Sequence, residues 1–195
     1  MKPFYRILIK PEVELKIKFD QNLLEKIQRN KPWFLILRKY EINEDFIKFF
    51  DETGAKASLN SRGIIKYQEL IMLKEVDITR TIALILGVLK LAKIIYFDKK
   101  IPFKLYLEIT NIKGRNILKS DELGIKETKV KNDVFVEKHY NFELTDTTDF
   151  VKEVILAVAK QMEFDIEENK LKEEIDKTMN VLDNPLVFAT KFNLQ

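Results

Sequence analysis

EVDITRTIALILGVLKLAKIIYFDKK, residues 75–100, is the one long apolar run in a chain otherwise built of short ones. Asp77 stands where a helix N-cap belongs, ahead of residues that suit a helix. The uncharged core of the run, Thr81 to Leu89, is far shorter than the ~20 residues a membrane span needs. The run therefore predicts a central helix, apolar on most faces and buried inside a soluble domain. Gly87 costs such a helix stability and permits close packing against a neighbour.

On both sides of this helix the apolar period changes from helical to alternating. Upstream, Phe4 to Lys10 has strand length, and Val13, Leu15, Ile17 and Phe19 alternate with charged residues, predicting a second strand after Pro11. Asp20 is placed to cap a short helix carrying Leu23, Leu24 and Ile27. Trp33 to Leu37 and Phe46 to Phe50 read as strands. The turn signals DETG (51–54) and NSRG (60–63) then separate two more, Lys56 to Leu59 and Ile64 to Leu73, giving a β-meander.

Downstream, Phe103, Leu105, Leu107 and Ile109 define the inner face of a strand that ends at the turn NIKGRN. Residues 113–131 read as an ordered, irregular excursion. A further strand sets Val134, Val136, Tyr140, Phe142 and Leu144 on one face, and Phe135, Glu137, His139, Asn141 and Glu143 on the other. The chain ends in two helices. One carries Val151, Val154, Ile155, Val158 and Met162; the next carries Leu171, Ile175, Met179 and Leu182 and stops at Asn184-Pro185. The expected fold is α+β: a mostly antiparallel sheet, a central buried helix and a C-terminal helical pair.

Composition narrows the chemistry. The 195 residues contain no Cys and one His, which excludes a disulfide framework, a thiolate zinc site and a multi-histidine metal centre. The absence of Cys and of a signal-like N-terminus predicts a cytoplasmic protein. The net charge of +3 hides an asymmetry. Residues 1–144 form a basic body with net charge +8, and residues 145–195 an acidic helical segment expected to pack on it as part of one domain.

Catalytic motifs are few. No GxxxxGK[ST], GxGxxG or GxSxG occurs, so nothing suggests a phosphate cradle or a nucleophile elbow, and no cofactor is expected. Glu14-Leu15-Lys16 has the local form of a two-acid-plus-Lys nuclease site, but no acidic strand precedes it. His139 shares a strand face with Glu137, a combination able to hold a divalent metal or make a general base. A solvated strand face is the commoner meaning of that pattern.

Phosphate neutralisation is better supplied. Lys113, Arg115, Lys119, Lys126, Lys129 and Lys131 crowd the excursion after the turn. Lys16, Lys18, Lys26, Arg29, Lys31, Arg38 and Lys39 surround Trp33. Lysines neutralise phosphates without reading sequence, and the scarcity of Arg argues against a sequence-specific reader. Tyr106 or Trp33 would stack on a base if exposed, although Trp33 reads as core.

Four segments carry a resemblance: WFLILRKYEINEDFIKFFDETGAKAS, the helix EVDITRTIALILGVLKLAKIIYFDKK, the strand KLYLEITNIKGRNIL and the ending PLVFATKFNLQ. From about Phe34 onward the chain resembles the C-terminal region of the prokaryotic AlbA-like (Schlafen-type) DNA-binding proteins. Ile78, Ile82, Leu86 and Tyr96 fit that group's helix pattern, and these are packing positions. The resemblance implies an accessory or sensing domain of a longer protein. The AlbA-like portion that gives the group its DNA-binding character has no counterpart here, so no functional residue carries over.

The first functional expectation is thus a non-catalytic regulatory or assembly domain, nucleic-acid-associated and self-associating or bound to a protein partner, with no membrane contact. The second is a sequence-nonspecific nucleic-acid-binding protein using a Lys-rich face. The third is a metal-dependent hydrolase around His139. A Lys-rich concave face with exposed Trp33 favours the second, a clustered acidic pocket around His139 the third, and a broad apolar patch on the last two helices the first.

Overall fold

The computed structural model describes residues 2–30, 39–52, 54–96 and 100–182. The elements run β1 (Phe4–Pro11), α1 (Gln21–Arg29), β2 (Lys39–Ile42), β3 (Phe46–Phe50), β4 (Lys56–Asn60), β5 (Ile65–Leu70), α2 (Ile78–Tyr96), β6 (Phe103–Thr110), β7 (Asn116–Ile117), β8 (Thr128–Lys129), β9 (Val134–Tyr140), α3 (Thr147–Met162) and α4 (Glu168–Leu182). Seven strands make one antiparallel sheet in the order β2-β3-β4-β5-β1-β6-β9. The meander occupies one half, and β1 is inserted between β5 and β6, so the first strand lies inside the sheet.

Strands β1, β3, β4, β6 and β9 and the first half of β5 bury alternate residues on the same side. Tyr5, Ile7 and Ile9 line up with Ile65, Tyr67, Leu105, Leu107 and Ile109 across the register. The described helices cover this side: α2 lies against β1 and β5, and α3 against β9. Helix α4 packs on α2 and α3, and α1 on α2. Helix α2 is the centre of the core, with Ile82, Ala83, Leu84, Ile85 and Val88 fully buried. Buried residues of α3 and α4, among them Val151, Val154, Leu171 and Ile175, belong to the same apolar cluster as the strands. The α+β architecture with a C-terminal helical pair is the one expected.

Local expectations fare unevenly. Asp20 caps α1 through the Leu23 N–H (2.9 Å), and Asp77 caps α2 through the Arg80 N–H (3.0 Å). The strand expected over residues 13–19 does not form. Leu15, Ile17 and Phe19 do point inward at every second position, yet β1 already has β5 and β6 on its two edges. The segment therefore leaves the sheet after Pro11 and runs extended, with Ile17 donating to the Ser61 carbonyl (2.7 Å). Strand β2 escapes sequence reading because all four of its residues are exposed and no burial period marks it. Strand β5 ends at Leu70, not Leu73, and β9 ends at Tyr140. Leu144, expected on the inner face, is 85% exposed beyond that end. The expectations for Trp33 to Leu37, Lys31, Arg38 and the ending at Pro185 lie outside the described residues.

The excursion after β6 is ordered. Asn111 and Gly114 take positive φ (60° and 82°), reversing the chain. The two-stranded β7–β8 ladder follows, and Ile117 bridges to Val76 just ahead of α2. No helix among the described residues is long and apolar enough to cross a membrane.

Candidate nucleic-acid interface

Strand alternation produces a second face, opposite the helices, and no helix packs closely on it among the described residues. Its side chains form registered rows across the sheet. One row reads Glu41, Lys48, Ser58, Lys66, Leu8, Tyr106, Glu137 from β2 to β9. The next reads Lys39, Phe50, Lys56, Gln68, Arg6, Glu108, Phe135. With strands about 4.8 Å apart, each row spans about 29 Å.

The two halves of this face differ in charge. Over β1, β6 and β9 the acids are matched: Arg6 pairs with Glu108 (2.9 Å) and Lys104 with Glu137 (3.0 Å). The Glu137 carboxylate, by hydrogen bond and charge, holds the Lys104 ammonium above its ordinary value. Arg6 also lies 5.0 Å from the centre of the Phe4 ring. Over the meander the bases are in excess. Lys48, Lys56 and Lys66 have no ion-pair partner among the described residues, and Lys39 meets Glu52 only at 4.0 Å, at an exposed site. Glu41 is the single acid in these meander rows. Glu44 and Asp45 sit at the β2–β3 hairpin tip, off the rows.

The basic residues expected to form the site are arranged otherwise. Lys131 is paired with Glu163 of the α3 C-cap, and Lys119 with Asp121 (3.2 Å). Arg115 donates to the Leu73 carbonyl (2.7 Å). Lys113, Lys126 and Lys129 remain exposed on the excursion. The structure thus spends half of that cluster on holding the excursion in place. Lys48, Lys56 and Lys66 do not stand out along the chain because each is the single lysine of its strand. The available signal was their parity: Lys48 in FIKFF, Lys56 in KASLN and Lys66 in IKYQEL all fall on the polar phase of the alternation.

The pair Glu137 and His139 is not brought together on a common ligand. His139 Nδ1 meets Glu12 (2.6 Å), while Glu137 is held by Lys104. Among the described residues no group of three or more His, Asp or Glu is placed to hold a metal ion. Glu14 and Lys16 are exposed on the extended segment, outside any strand.

A cavity of about 240 Å³ lies where β5 runs toward α2, lined by Tyr5, Glu69, Leu70, Ile71, Met72, Leu73, Glu75, Asp77 and Arg80. Its polar groups serve the fold. Arg80 makes a two-oxygen contact with Glu69 (2.8 and 2.9 Å), and the Tyr67 hydroxyl donates to the same carboxylate. The Tyr5 hydroxyl donates to the Asp77 carbonyl (3.3 Å). Burial pushes the Asp77 carboxyl above its ordinary value, against the pull of the Arg80 and Thr79 N–H groups.

Comparison with protein-family models, with curated proteins and with solved structures finds no match to this chain.

Proposed function

We propose that the chain is a non-catalytic domain that holds nucleic acid without reading its sequence, through the open face of the sheet. The observation that carries this is the set Lys48, Lys56 and Lys66, unpaired among the described residues on one side of the meander, with exposed or half-buried aromatic rings beside it. Lysines on a strand face are spaced by the sheet itself: Lys48 and Lys66 are two strands apart, about 9.5 Å. Point charges at that spacing meet phosphates and ignore base identity. The meander rows carry Lys39, Lys48, Lys56 and Lys66 against Glu41, so this side attracts a polyanion.

The competing readings have less behind them. Neither α3 nor α4 carries an exposed large hydrophobic residue among those described, so the apolar patch that a helix-mediated assembly needs is not there. The residues around His139 are tied in two separate contacts, His139 with Glu12 and Glu137 with Lys104. The resemblance to the C-terminal region of AlbA-like proteins enters this proposal as an accessory role beside other nucleic-acid-handling parts.

The test is anisotropy of a labelled mixed-sequence oligonucleotide, single-stranded and duplex, at about 50 and about 200 mM salt. The reading expects binding whose logarithm falls with log salt at a slope of about −2 for a single strand, the value for three phosphate contacts. It expects the triple variant Lys48→Glu, Lys56→Glu, Lys66→Glu to lose binding while melting like the parent. Binding that survives this variant and disappears with Lys113→Glu, Lys126→Glu, Lys129→Glu would move the site to the excursion.

A further inference from the structure

We infer that the occupant of the open face is a single strand, with phosphates over the meander lysines and unpaired bases stacked on Tyr106 and Phe135. This rests on the reading just given and adds the class of nucleic acid. Tyr106 is half-buried in the first row, and Phe135 is 60% exposed at the end of the second. They are diagonal neighbours across β6 and β9, about 7 Å apart at their side-chain roots. Successive unstacked bases would each find one ring.

The half of the face that carries these rings holds the matched pairs Arg6–Glu108 and Lys104–Glu137 and leaves Lys10 as its one unmatched lysine among the described residues, so it offers a polyanion less than the meander does. What it offers is aromatic surface. A duplex hides the faces of its bases inside the stack and cannot use that surface; a single strand can. The Gln161 side chain donates to the Phe135 carbonyl (2.8 Å) and accepts from its N–H (2.9 Å), anchoring the backbone from which the ring projects.

The experiment compares a ten-nucleotide single strand with the duplex of the same sequence at one salt concentration, against the parent and Tyr106→Leu/Phe135→Leu. Leucine keeps apolar bulk and removes the π-face, and an unchanged melting temperature shows the fold intact. The expected result is single-strand binding at least tenfold tighter than duplex binding. The double variant should lose about tenfold or more for the single strand, as the removal of stacked rings does. Its salt slope should stay that of the parent, whereas Lys66→Gln should reduce the slope by about 0.7. Duplex binding equal to single-strand binding, with the leucine variant neutral, would overturn this inference and leave nucleic-acid binding standing. Competition by polyglutamate as effective as by the unlabelled strand would also overturn it, making the face a general anion surface. No binding of either nucleic acid would remove both proposals.

Discussion

Two residues near the ends of α2 show how single groups fix the core. Asp77 caps the helix from a half-buried position, and its partial desolvation raises its carboxyl above the ordinary value. Between the ordinary and the raised value the folded chain keeps a proton that the unfolded chain releases, so this group's contribution to stability falls as pH rises through that window. Asp77→Asn keeps the capping oxygen and cannot titrate. Urea melts from about pH 4 to about pH 7 should show its stability, relative to the parent, increasing with pH. Asp77→Ala should cost about 1 kcal/mol through the lost cap. At the other end, the Tyr96 hydroxyl donates to the carbonyl of Gly63, whose φ is +81°. A Cβ there would stand 2.7 Å from Leu15 Cδ1. Gly63→Ala should lower stability by about 1–2 kcal/mol from backbone conformation alone, read as a reduced urea midpoint, and more if Leu15 cannot move.

Elements were readable in the sequence where burial alternates or runs unbroken. The α2 run was plain because thirteen of its nineteen residues are buried, and Ile82→Ala should cost about 2–5 kcal/mol in the same melts. Strands β1, β6 and β9 were plain because one side faces helices and the other water. Residues 13–19 show the limit: their alternation records which side chains reach the core, while strand pairing depends on whether a sheet edge is vacant there. Edges are also where β2 and β9 differ. Strand β2 presents Lys39 and Glu41, charges that discourage pairing with another chain. Strand β9 has its backbone at Phe135 occupied by Gln161, whose amide imitates one residue of a neighbouring strand. Gln161→Leu should speed hydrogen exchange at the Phe135 amide and raise the sedimentation coefficient at high protein concentration as the edge pairs with other copies.

At the scale of the whole molecule, the charge asymmetry along the chain is offset on the helical side, where the basic helices α1 and α2 lie beside the acidic C-terminal segment. The acidic segment forms α3 and α4 on the helical side, and the unmatched lysines gather on the open side of the meander. The sequence announced the imbalance but misplaced its focus. The cluster at 113–131 is dense along the chain, yet Lys131, Lys119 and Arg115 are committed to local contacts. Lys48, Lys56 and Lys66 are sparser over an equal length of chain, and the register of three strands sets them on one face. Sequence-local density cannot report such a set; only the pairing does. The most direct measurement is an amide-resolved NMR titration of the protein with a short single strand. The account predicts shifts along β3, β4 and β5 at Lys48, Ser58 and Lys66, continuing to Tyr106 and Phe135, with α3 and α4 silent. Shifts confined to residues 113–131 or to the helices, with these strands unmoved, would contradict it.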